Sequence, residues 1–81
     1  MDMKQNEFST TDLGLAVTLI TLKYELLRLD KSNPRKVKFV FKYKKNIERV
    51  IEDYFNNKIK LPVLSLFNNL KTLKARIYSD V

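Results

Sequence analysis

The chain has 81 residues, with 16 Lys and Arg against 9 Asp and Glu, a formal charge of +7, one Gly, and neither His nor Cys. One small domain with a modest core fits this length; a deep cleft between two lobes does not. The missing His and Cys exclude the usual zinc site, a disulfide framework and a His- or Cys-based nucleophile–base pair, and a single Gly excludes a Gly-rich phosphate loop.

Residues 1–7 are polar and are read as a flexible N-terminus ahead of one domain over residues 8–81. No apolar run precedes Phe8, so no secretory leader is expected. Phe8 and Ser9 fit a short edge strand. Ser9-Thr10-Thr11-Asp12 matches a capping box, with the Ser hydroxyl as acceptor and the Asp reaching back. The helix that follows is predicted from Thr10 to Leu22. Its apolar residues form two stripes, Leu13, Ala16, Val17 and Ile20 beside Leu15, Leu19 and Leu22, so it belongs in the core. The apolar stretch from Leu13 to Leu22 is half the ~20 residues that a membrane span requires. An intracellular, cytoplasmic location without membrane contact is the expectation.

Tyr24 to Leu29 reads as a strand, and Asp30-Lys31-Ser32-Asn33-Pro34 as a turn. A second strand is predicted from Arg35 to Tyr43. Val37, Phe39, Phe41 and Tyr43 share one face; Lys36, Lys38, Val40, Lys42 and Lys44 share the other. The two strands should pair as an antiparallel hairpin. From about Lys45 the period becomes helical: Ile47, Val50, Ile51, Tyr54 and Phe55 point inward, and Asn56 and Asn57 suit a helix end because Asn tolerates a left-handed backbone. Pro62 opens a last helix to Ser79, with Val63, Leu66, Phe67, Leu70, Leu73 and Ile77 apolar and Lys71, Lys74 and Arg76 toward its C-terminus. The plan is α+β, in the order β-α-β-β-α-α, a small antiparallel sheet covered on one face by helices.

This plan leaves Lys36, Lys38, Lys42 and Lys44 together on the open sheet face. Residues 31–45 contain no acidic residue, and Arg35 and Lys45 flank the row; elsewhere the charges are more mixed. Cations at every second strand residue stand about 6.5–7 Å apart, close to the phosphate spacing of one nucleic-acid strand. Such a ladder positions a backbone without reading sequence. The competing reading is a solvated face that keeps the protein soluble. Stacking of bases needs exposed aromatics, and Phe39 and Phe41 are expected in the core instead. Lys71 and Lys74, three apart on the last helix, form a second basic group; Asn68 and Asn69 could add a base-reading face, against the plainer reading of an amphipathic helix's polar side. Glu48, Glu52 and Asp53 lie among cations and read as an ion-pair face rather than as an acid–base or metal site. No nucleophile–base–orienter set is present, so no enzyme, metal or cofactor is expected.

The stretch Phe8-Ser9-Thr10-Thr11-Asp12-Leu13-Gly14-Leu15-Ala16, the strand Tyr24 to Asp30, the aromatic strand Lys38-Phe39-Val40-Phe41 and the closing Leu73-Lys74-Ala75-Arg76-Ile77-Tyr78 together resemble a family of short proteins without assigned function, found in phages, plasmids and their bacterial or archaeal hosts. The resemblance covers about residues 8–78. It implies a mobile-element setting and supplies no catalytic or binding residues. Lys23 departs from it, standing where the family has Gly before the strand, which leaves the tightness of that turn open.

Two functions follow as expectations. One is a small basic nucleic-acid-binding accessory protein that contacts phosphates through Arg35, Lys36, Lys38, Lys42, Lys44 and Lys45, with Lys71 and Lys74. The other is a protein–protein interaction module, a homodimer or the partner of a host or viral protein, with apolar residues such as Leu15, Leu19, Leu64, Leu66 and Phe67 left partly uncovered.

Overall fold

Side-chain alternation along the aromatic strand decides the architecture. A computed structural model describes residues 6–79. The elements are β1 (Glu7–Thr10), α1 (Leu13–Thr21), β2 (Leu26–Asp30), β3 (Lys38–Lys42), α2 (Ile47–Phe55) and α3 (Val63–Ser79). The fold is α+β, and its order is the one the sequence pattern implies. β3 is the central strand, with β1 and β2 antiparallel to it on either side. β1 and β2 are therefore parallel to each other, joined through α1, with β3 inserted between them in a split β-α-β arrangement.

Phe39 and Phe41 are 2% and 0% exposed. They meet Leu15, Ala16, Val17 and Leu19 of α1, Ile47 of α2 and Leu73 of α3 in one cluster, so all three helices cover the same sheet face. Burying each ring contributes roughly 1.5–3 kcal/mol. α1 carries five buried residues, whereas α2 and α3 each carry one. The outer two helices are thus anchored by Ile47 and Leu73 and flanked by half-buried neighbours such as Val50, Ile51, Leu66 and Leu70.

The element ends differ from the sequence reading for identifiable reasons. α1 starts at Leu13, not Thr10. Ser9 and Thr10 are held extended by pairing with Val40 and Phe39, so the cap moves to Asp12, whose carboxylate accepts from the Leu15 N–H at 3.1 Å. The Thr10 hydroxyl accepts from the Asp12 N–H. β3 begins at Lys38, not Arg35, because Asn33 accepts the Arg35 N–H with its side chain and the Lys36 N–H with its carbonyl, tying both into the turn. β2 begins at Leu26, with a bulge between Leu26 and Arg28. Of the segment expected to be flexible, Glu7 belongs to β1, and residues 1–5 lie outside the described residues.

Two helices end in the same motif. After α1, the Tyr24 N–H donates to the Leu19 carbonyl and the Lys23 N–H to that of Ile20; after α2, Lys58 donates to Asp53 and Asn57 to Tyr54. Both are Schellman endings that require a left-handed residue. Asn57, at φ 60°, and Lys23, at φ 75°, supply it. The turn before β2 is therefore tight, even though Lys rather than Gly occupies its left-handed position.

The one glycine is placed by sterics. The Tyr54 hydroxyl bonds Asp12 across Gly14, and a Cβ there would collide with that hydroxyl. Burial, then the Asp12 charge, raises the Tyr54 pKa.

Lys23 and Gly14 can each be tested by stability. Lys23→Gly removes the left-handed penalty and, after allowing for the looser unfolded chain, should stabilise by about 0.5–1 kcal/mol in urea unfolding; a loss of stability would contradict the turn geometry. Gly14→Ala should destabilise by about 1 kcal/mol, because displacing the Tyr54 hydroxyl outweighs the gain in helix propensity. In a Tyr54→Phe background the nearest remaining atoms to that Cβ stand at 3.4 and 3.5 Å, ordinary contact, so the same substitution should become stabilising.

Candidate nucleic-acid interface

Strand pairing changes the charge of the sheet face. Lys38 and Lys42 are exposed on it, as the alternation requires. But Asp30 stands opposite Lys38 and Glu7 opposite Lys42. Asp30 accepts the Ser32 N–H, which holds its carboxyl below the usual range, with Lys38 adding a smaller attraction. Glu7 takes a two-pronged bond from Arg28, both contacts at 3.0 Å, and this bridge raises the guanidinium pKa further. Arg28 is opposite Val40 on β2, and Glu7 is on β1, so the bridge crosses β3 over its open face. Val40 sits beneath it, 4% exposed. Glu25 lines the same groove as Glu7 and Lys42. On the strands, three cations thus share this face with two carboxylates.

The remaining predicted cations do not extend the ladder. Arg35 and Lys36 lie in the turn between β2 and β3, exposed. Lys44 lies beyond the end of β3, its ammonium 5.7 Å from the centre of the Tyr24 ring, a ring that packs against the core. Lys45 is in the turn before α2. Lys31, also within the basic run, is used structurally. Its ammonium donates to the Arg76 and Ile77 carbonyls at 3.0 Å each, capping α3 where the dipole favours a cation. Lys71 and Lys74 are exposed on α3, which belongs to the layer on the opposite side of the sheet. The eight candidate residues therefore fall into separate groups and do not form one surface.

A different stretch of the chain carries unpaired charge. From Tyr54 to Ser79 the sequence has no Asp or Glu but has Lys58, Lys60, Lys71, Lys74 and Arg76. The ion pairs among the described residues, Arg28–Glu7 and Arg49–Asp53, involve none of them. Exposed apolar groups are interleaved with these cations: Phe55, Val63, Leu64, Phe67 and Tyr78 are each more than half exposed. Two sides of α3 are already occupied. Leu66, Leu70, Leu73 and Ile77 pack inward. Asn69, Thr72 and Arg76 line a cleft with Ile20, Tyr24 and Leu26, where the Asn69 amide donates to the Thr21 hydroxyl at 3.0 Å. The Asn69 amide is thus committed to a clamp between α1 and α3. Phe55, expected on the inward face of α2, is instead 64% exposed at the helix's last residue, and Lys58 and Lys60 are the cations that sequence reasoning read only as connector. The signal that locates them is the length of the acid-free interval, which exceeds that of residues 31–45.

A model of the family described as Domain of unknown function (DUF5659) matches residues 5–79. The chain belongs to that family. No curated protein and no solved structure matches it. Among the described residues, no helix is long and apolar enough to cross a membrane, and no three Asp or Glu side chains gather in a way that could hold a metal ion.

Proposed function

We propose that this DUF5659 protein is a small, basic, non-enzymatic nucleic-acid-binding accessory of a phage or other mobile element, acting inside the host cell. The observation that carries this reading is the acid-free run of exposed, unpaired cations along the α2–α3 connector and α3. Five cations there have no carboxylate partner among the described residues, so they can replace the counterions condensed on a phosphate backbone. The sheet face is the weaker candidate, because a phosphate approaching Lys38 or Lys42 also meets Asp30 or Glu7. Arg35 and Lys36, exposed at the turn, add to the long-range positive field that steers a polyanion. Backbone contact of this kind positions nucleic acid without base selection.

A second reading, a protein-interaction module, is favoured by the end of α2 and the start of α3. Phe55, Val63, Leu64 and Phe67 are exposed there, and an uncovered apolar patch marks an interface. Sedimentation at ~100 μM showing a dimer, together with absent nucleic-acid binding, would select this reading.

Fluorescence anisotropy of labelled oligonucleotides against salt tests the first. If Lys58, Lys60, Lys71 and Lys74 contact phosphates, log affinity should fall with log salt at a slope of about −3 to −4. Lys71→Glu with Lys74→Glu should weaken binding about tenfold or more and flatten the slope by about 1.5–2. Lys38→Glu with Lys42→Glu should change affinity less, by roughly threefold. No binding to DNA or RNA at ~50 mM salt would reject the proposal.

A further inference from the structure

The arrangement of side chains along α3 specifies the form of nucleic acid. Phe67, Lys71, Lys74 and Tyr78 follow one another at intervals of four, three and four residues, which at 3.6 residues per turn keeps them within about 60° of arc. All four are exposed, Phe67 by 55% and Tyr78 by 76%. The rise per residue sets the two rings about 16–17 Å apart along the axis, with the lysines about 6 and 10 Å beyond Phe67. This stripe runs along the flank of α3 away from the Asn69–Arg76 cleft. Its helix is fixed at three points: Leu73 in the core, Asn69 on Thr21, and the Lys31 ammonium at its C-terminal carbonyls.

In a duplex the base faces are already stacked on one another, so exposed rings beside lysines add nothing to backbone binding. A single strand offers unpaired base faces, and aromatic side chains with intervening cations are what such a strand uses. The span between the rings also suits a strand of a few nucleotides, at the lower end of known single-strand sites of about 4–16. No carboxylate on α3 opposes the phosphates. We infer that the flank of α3 is a platform for single-stranded nucleic acid, with bases stacking on Phe67 and Tyr78 and phosphates held by Lys71 and Lys74. The inference rests on the nucleic-acid reading above and narrows it. Stacking accepts every base, so binding tolerates sequence.

The test compares a labelled oligo-dT strand, a duplex of equal length and anionic phospholipid vesicles, at one salt concentration. Oligo-dT should bind at least about tenfold more tightly than duplex. Phe67→Ala and Tyr78→Ala should each weaken oligo-dT binding by about 5- to 150-fold. Neither should change duplex binding or the salt slope, and Phe67→Tyr should retain affinity. Both residues are exposed, so circular dichroism melting should stay at the wild-type temperature and separate lost stacking from lost folding. Equal affinity for strand and duplex, or unchanged oligo-dT binding in both alanine variants, overturns the platform while leaving backbone binding intact. Binding to vesicles with no binding to either nucleic acid overturns both proposals.

Discussion

A central strand has both of its hydrogen-bonding edges occupied, and that constraint organises this molecule. β3 is paired by β1 on one side and β2 on the other. A slip of one residue would turn Phe39 and Phe41 into water and Lys38 and Lys42 into the core. The rings decide the register, because each contributes roughly 1.5–3 kcal/mol on burial, while exposed ion pairs contribute little. The charges then follow. Once Phe8 stands opposite Phe41, Glu7 must stand opposite Lys42; once Leu29 stands opposite Phe39, Asp30 must stand opposite Lys38. Aromatic packing thus determines the electrostatics of the open face.

The helical layer follows a different rule. α1 packs against the sheet and against both other helices, and its burial is nearly complete from Leu15 to Leu19. α2 and α3 touch the core through narrow stripes. Polar clamps complete their attachment: the Tyr54 hydroxyl on Asp12, the Asn69 amide on Thr21, and the Lys31 ammonium on the end of α3. These contacts commit individual polar residues to holding the layer together and leave the rest of α3 available. The outer stripe of Phe67, Lys71, Lys74 and Tyr78 is therefore presented on a helix whose position is set by other residues.

The strands, the helices and their order were legible because period-two and period-3.6 patterns are strong in Val37–Tyr43 and Ile47–Phe55. The inward direction of Phe39 and Phe41 came from the same alternation. Element ends were less legible. Nothing local distinguishes Ser9 from Asp12 as a cap until Ser9 and Thr10 are known to pair with β3. The left-handed Lys23 runs against its own residue type, and only the two carbonyls of Leu19 and Ile20 that its turn satisfies explain it. The structural roles of Lys31 and Asn69 depend on partners 45 to 48 residues away. No pattern within the run of lysines distinguishes the capping Lys31 from the solvated Lys36.

The candidate site shows why an acid-free run means different things in a strand and in a helix. A strand residue acquires neighbours from adjacent strands about 5 Å away, and those come from remote sequence. An acid-free strand can therefore acquire carboxylate neighbours by register, as Lys38 and Lys42 acquire Asp30 and Glu7. The outer face of a surface helix has as its nearest neighbours the residues three and four positions along the same helix. An acid-free helix therefore keeps its charge in space, and the cations of α3 do so. The density of lysines favoured residues 31–45 in the sequence, but the kind of secondary structure carrying them decides which cations a polyanion can reach. The same reasoning moves the stacking aromatics. Strand rings are drawn into the core by sheet packing, while Phe67 and Tyr78, off the inward stripe of α3, remain in solvent beside the lysines.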